Sequence, residues 1–290
     1  MTLVVLADIH ANHAALEAAA DRIDRIAPDG IVLLGDYVTD CPYPRRTMEL
    51  IYDLHQRYPV YMVRGNREDY LLDHRKAVSC GKDDGWTKGS GTGALLYTYS
   101  ELSAADLDFL AKLPLTAEIA LPGCPPITAF HASPYKTKDW IIGNDDKLRD
   151  IMKNASSPLL LCGHAHRTVR YDRYARSLMI CPSLGIPQDP KDTSSMVVLR
   201  CRSRKWERDT SAECTHIDYD LPSLIREFSE SGLDEIAPVW SKCVIKSLFD
   251  RGDYASACAS YAYRAARADR VYGVPPEKYW TDAAEKLGIF

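Results

Sequence analysis

Apolar and polar positions alternate between two periods over the first 65 residues. Leu3–Ala7 is a short apolar run, and Leu16, Ala19, Ile23 and Ala27 then recur at helical spacing. Pro28-Asp29-Gly30 turns the chain into a second run, Ile31–Leu34. Met48, Ile51 and Leu54 repeat the helical spacing before a third run at Val60–Val63. This order predicts strand–helix–strand–helix–strand with right-handed crossovers, hence a parallel sheet covered by helices.

Beyond residue 66 the pattern changes. Glu68–Arg75 reads as helical, and residues 79–93, SCGKDDGWTKGSGTG, form a glycine-rich loop too long for a simple connector. That loop is a candidate lid or substrate loop. Ser103 opens an amphipathic helix that ends before Pro114. Thr116–Leu121 and Ile127–Phe130 read as a hairpin. Leu159–Cys162, Thr168–Tyr174, Ser177–Ile180, Met196–Cys201 and Cys214–Tyr219 read as further strands. From Leu221 onward the pattern is helical. Trp240, Cys243, Val244 and Leu248 share one face, Gly252 ends that helix, and another runs to about Gly273. The expected organisation is a domain over 1–220 and a helical extension over 221–290.

Composition narrows the class. A chain of 290 residues with 46% hydrophobic and 26% charged positions suits an ordinary globular protein. No apolar window approaches the roughly 18 residues of a membrane-crossing helix, so no membrane partner is expected. The opening MTLVVLADIH has no basic leader and reads as a first strand. Nine cysteines without CxxC spacing suggest reduced thiols and a cytoplasmic setting. The net charge of −4 argues against general nucleic-acid binding, and the basic stretch RCRSRKWER at 200–208 is expected to be a solvated strand end or turn.

The chemistry lies at the ends of the apolar runs. VVLADIH, IVLLGD, VYMVRGN, ITAFH and LLLCGHAH each finish in potential metal ligands. In open α/β sheets the carboxyl ends of strands share one edge, which would gather Asp8, His10, Asp36, Asn66, His131, His164 and His166 in one crevice. Carboxylates, imidazoles and one carboxamide without a thiolate suit Mn, Fe, Zn, Ni or Co, with Mn the first candidate. These ligands exceed one tetrahedral site and divide into two only if a carboxylate bridges, for which Asp36 is the best placed. Two ions about 3.5–4 Å apart can hold a hydroxide between them and clamp the oxygens of an in-line phosphoryl displacement.

D-x-H, G-D, G-N, a lone H and G-H-x-H, in that order, resemble the motifs of the calcineurin-like metallophosphoesterases over about residues 1–220. DIHAN, GDYVTDCPYP and LCGHAH are most similar to small bacterial phosphoesterases. The resemblance implies a four-layer α/β/β/α sandwich of the α/β class around two packed sheets. It also implies one metal on Asp8, His10, Asp36 and His166, and another on Asp36, Asn66, His131 and His164. Gly163 would let the chain turn so that both flanking histidines face inward. Two departures stand out: Arg67 follows Asn66 where many members have an acid histidine, and ICPSLG replaces a late N-P-G-S stretch.

Arginine stays protonated at any useful pH and cannot serve as a general acid. Arg67 either holds a phosphate oxygen in its planar fork, or points outward to pair with Glu68 or Asp69. The first case leaves the leaving group unassisted and favours diesters, anhydrides or activated aryl phosphates over alkyl monoesters. Alternatives are a protein or nucleotide phosphomonoesterase, and a non-catalytic metal-binding scaffold on the same fold. Asn12 is a candidate for hydrogen bonding near the metals and substrate, and Tyr37 and Cys41 for lining the pocket. His13 is placed in the first helical turn, and His55, His74 and His216 at the surface. Trp86 has two readings, stacking on a substrate base or anchoring its loop. The expected partner is a small phosphorylated substrate or nucleotide, and the Tyr- and Ala-rich C-terminal helices allow a homo-oligomer.

Overall fold

In the computed structural model, residues 1–203 and 210–290 are described, so most of the basic stretch at 200–208 lies outside the described residues. Strand β1 (Thr2–Leu6) sends successive side chains to opposite faces, and both faces are apolar. Val4 and Leu6 meet Leu16, Ala19 and Ile23 of helix α1 (His13–Ile26), whereas Leu3 and Val5 turn inward. Strand β2 (Gly30–Leu33), helix α2 (Pro44–Arg57) and strand β3 (Val60–Met62) repeat the unit. All three strands run parallel, as the alternating periods predict.

Helices α3 (Asn66–Ser79), α4 (Gly93–Glu101) and α5 (Ala104–Ala111) lead to a second sheet. Strands β4 (Thr116–Ile119) and β5 (Ile127–Phe130) form the expected antiparallel pair. Helix α6 (Asp145–Asn154) precedes β6 (Leu159–Cys162), β7 (Val169–Arg173) and β8 (Arg176–Ile180). The order in this sheet is β4-β5-β6-β8-β7, with β5, β6 and β8 parallel. The chain then returns to the first sheet as β9 (Ser195–Cys201) and β10 (Thr210–His216), giving β10-β9-β1-β2-β3.

The inner faces of the two sheets share one core: Leu3, Val5, Val32 and Val197 pack with Ile127, Ala129, Leu159 and Leu161. On the far side of the second sheet, Leu160, Leu178 and Ile180 pack with Leu148, Ile151 and Met152 of α6. Helix, sheet, sheet and helix are therefore stacked in four layers, the expected sandwich.

Past residue 220 come α7 (Leu221–Glu230), α8 (Leu233–Ile236), α9 (Pro238–Asp250), α10 (Tyr254–Ala268) and α11 (Glu277–Lys286). Leu224, Phe228, Leu233, Val244 and Leu248 from these helices pack with Ala11, Cys41, Ala94, Tyr97 and Ile186. A second cluster, with Trp280 fully buried against Cys243, Cys258 and Ala262, binds the last helices to one another.

The glycine-rich loop at 79–93 is anchored rather than free. Trp86 stacks on His74 with ring centroids 4.0 Å apart, so the anchoring reading of Trp86 describes its position. His74 is correspondingly buried, not at the surface, and its Nδ1 meets Asp84 at 2.7 Å. At the other end of the loop, Glu277 of α11 accepts from Ser90 N and Oγ at 2.8 and 2.6 Å.

Candidate metal centre

Asp8 and His10 follow β1, Asp36 follows β2, and Asn66 opens α3 a short turn after β3. His131 follows β5, and His164 and His166 follow β6. The cluster thus forms where strand ends of two sheets meet, and not along the edge of one. Asp8 (φ 51°), His10 (51°), Asp36 (55°), His164 (67°) and His166 (52°) all lie in the left-handed region, which costs non-glycine residues conformational energy. Backbone bonds between the two β-strand ends hold that strain: Asp8 N donates to Gly35 O at 3.2 Å and His10 N to Asp36 O at 2.9 Å. Gly163 matters for close approach and not for a turn, since a Cβ there would lie 2.7 Å from Asp8 Oδ2. Gly65 is tighter still, with its Cβ position 2.2 Å from Asp36 Oδ1.

Two donor groups result, Asp8 with His10 and His166, and Asp36 with His131 and His164, the ligand atoms in each lying within 4.8 Å of one another. Asp36 Oδ2 stands between them, 3.7 Å from His10 Nε2 and 3.5 Å from His131 Nε2. Asn66 Oδ1 approaches His131 Nε2 at 3.1 Å.

Hydrogen bonds behind the rings fix their tautomers. His131 Nδ1 faces Leu34 O at 2.7 Å, His166 Nδ1 faces Ile186 O at 2.6 Å, and His10 Nδ1 faces Asp40 Oδ2 at 2.8 Å. Oxygens of these types accept, so each Nδ1 carries the proton and each neutral ring turns an Nε2 lone pair inward. His10 Nε2 then meets His166 Nε2 at 3.0 Å, and His131 Nε2 meets His164 Nδ1 at 3.2 Å. With these rings neutral, the inward nitrogens and the carboxylates beside them form a donor set that fits divalent cations.

Protonation follows the same geometry. Burial raises Asp8 to about 6, with His131 opposing the shift. Burial would lower His131, but the charge and hydrogen bond of Asp36 outweigh it and bring the ring up to about 9. Burial and then the charge of His131 drop His164 to about 4, and burial with His10 keeps His166 well below its usual value. Glu68, fully buried, rises to about 7 through burial and the charge of Asp36. Its carboxylate accepts from the backbone N–H groups of Asp36, Tyr37 and Gly65 at 2.9, 2.8 and 2.9 Å, pinning the two ligand loops together.

Arg67 faces a cavity of about 400 Å³ shared with His10, Asp36, Asn66, His164 and His166. Its partner is neither Glu68 nor Asp69 but Asp40, 3.2 Å from Nη2. Asp69 is taken by Arg64 at 2.6 Å. Asn12 is differently placed from expectation. Its Oδ1 accepts from Ala15 N as the cap of α1, and its Nδ2 donates to Gly185 O and Tyr219 Oη at 2.9 and 3.1 Å. Fully buried, that amide has no face toward the cavity. Tyr37 is also core, its hydroxyl bridging Leu33 O and Val63 O, and Cys41 belongs to the cluster under the C-terminal helices. His13 pairs with Glu227 at 2.6 Å.

The cavity wall also includes Tyr70, Lys138, Trp140, Gln188, Asp253 and Ser256, none of which the sequence pattern marks. Tyr70 comes from α3, Lys138, Trp140 and Gln188 from loops, and Asp253 and Ser256 from the start of α10, with no shared periodicity to reveal them.

Stacked sheets whose joined strand ends carry paired carboxylate–imidazole donor groups define a metallophosphoesterase sandwich. The chain belongs to the calcineurin-like phosphoesterase family, whose sequence model matches residues 1–168. An uncharacterized protein of Methanocaldococcus jannaschii is 25% identical over 248 residues, covering 80% of this chain and 94% of that protein. A hypothetical protein from Pyrococcus horikoshii has a similar fold, with TM-score 0.68 and 19% identity over 82% of this chain and 97% of its own. A metallophosphoesterase from Sphaerobacter thermophilus gives TM-score 0.65 and 21% identity, over 87% and 100%.

Proposed function

We propose that the protein is a phosphoester hydrolase that works with two divalent cations, manganese the first candidate, and prefers diesters, anhydrides or activated aryl phosphates. When bound, the cations supply Lewis acidity and an activated water for in-line displacement. Asp8, His10 and His166 would hold one, His131, His164 and Asn66 the other, with Asp36 between them. The preference rests on one observation, the Arg67 guanidinium at the cavity wall where a proton donor would be useful. Its pKa is raised further, burial being outweighed by Asp40 and Asp36, so it has no proton to give a leaving alkoxide. Its fork can instead hold a non-bridging phosphate oxygen and offset the charge that builds up during displacement. Leaving groups that depart without protonation then react best. Nine free thiols support a reducing setting such as the cytoplasm.

Manganese-loaded protein is expected to hydrolyse bis-p-nitrophenyl phosphate faster than a simple alkyl monophosphate, with turnover lost to EDTA and regained with manganese. Metal retention without turnover on any phosphoester would favour the scaffold reading. Faster cleavage of the alkyl monoester would refute the assignment of Arg67.

A further inference from the structure

We propose that the C-terminal helices complete the anion-binding part of the site through Trp240, which with Asp40 positions the Arg67 guanidinium. This rests on the reading of Arg67 as a phosphate clamp. Asp40 is buried, and four donors converge on its carboxylate. Oδ2 meets His10 Nδ1 at 2.8 Å, Thr39 Oγ1 at 2.8 Å and Arg67 Nη2 at 3.2 Å. Oδ1 accepts from the Trp240 indole Nε1 at 2.8 Å. The same indole lies beneath the guanidinium, with Arg67 Cζ 5.6 Å from a ring centroid.

Each contact has a separate consequence. A long arginine side chain loses considerable rotamer freedom when it is held in one pose, and an anion site gains from having that loss already incurred. Asp40 fixes one nitrogen of the fork, and the indole face supports the plane by cation–π attraction. The indole N–H in turn fixes the carboxylate, which also holds a ring of the metal centre. Trp240 lies on α9, 72 positions beyond the last residue that the family model matches. The contact therefore makes the extension a contributor to the site and more than a neighbour of it.

Asp40 substitutions would also disturb His10, so Trp240 is the informative position. The probe is inorganic phosphate, titrated calorimetrically into manganese-loaded wild type, Trp240→Phe, Trp240→Leu, Arg67→Ala and the double variants Arg67→Ala/Trp240→Leu and Arg67→Ala/Trp240→Phe. Bound manganese and near-ultraviolet circular dichroism are measured for each. Arg67→Ala is expected to weaken phosphate about tenfold and Trp240→Leu about threefold to fivefold, with Trp240→Phe between it and wild type because the ring face survives. In the Arg67→Ala background the leucine substitution should have almost no further effect. An additive double variant, or full phosphate affinity in Trp240→Leu, would overturn the role of Trp240 while leaving the clamp standing. Unchanged affinity in Arg67→Ala would overturn both. If Trp240→Leu fails to fold, Trp240→Phe decides alone: a weakening that vanishes without Arg67 supports the proposal, and anything else refutes it. Wild-type hydrolysis tests the catalytic reading separately.

Discussion

His131 carries the sharpest conflict in the site. Its Nδ1 proton is committed to Leu34 O, yet beside Asp36 the ion-free ring holds a second proton up to about pH 9. A cation at Asp36, His131 and His164 must displace that proton, so protons compete with it at every pH below about 9. Apparent manganese affinity at this site should rise roughly tenfold per pH unit from 7 to 9 and level off above. Calorimetry in two buffers of different ionisation enthalpy measures the affinity and the protons released. Affinity independent of pH over that range would contradict the donor assignment. Residues of this kind were readable in the chain, because each ends an apolar run in a ligand type. Asp40 was not, since its meaning depends on a guanidinium 27 positions later and an indole 200 positions later.

At the scale of elements, β1, β2 and β3 were legible because their apolar runs and the intervening helical spacing differ in period. Helix α4 was hidden by the glycine run before it, and α11 by Pro275 and Pro276. The loop at 79–93 looked free because its fixing points, His74 and Glu277, lie outside it. Asn12 shows how an element boundary can resemble a site residue. It sits within DIHAN beside two candidate ligands, yet it caps α1 and ties that helix to Gly185 and Tyr219. Asn12→Ala removes the cap and leaves buried partners unsatisfied, at a cost of roughly 2 kcal/mol. Urea unfolding should show that loss with manganese stoichiometry and KM unchanged. A raised KM with unaltered stability would return Asn12 to the substrate site.

For the whole molecule, two mixed sheets bring the carboxyl ends of their parallel strands together, and the helices after residue 220 reach the same rim. Asp253 and Ser256 stand in the cavity wall, and Trp240 touches the groups behind it. Among the described residues, no helix is long and apolar enough to cross a membrane. The sequence marked the candidate metal donors but not where the extension would lie, because its apolar faces are equally suited to packing against any sheet or another chain. The account stands on paired cation sites at the joined strand ends. Anomalous scattering from a crystal grown with manganese tests this most directly. Two peaks are expected, one among Asp8, His10 and His166 and one among Asp36, His131 and His164, with Asp36 reaching both. A crystal with no peak there, or with manganese only elsewhere on the surface, would contradict it.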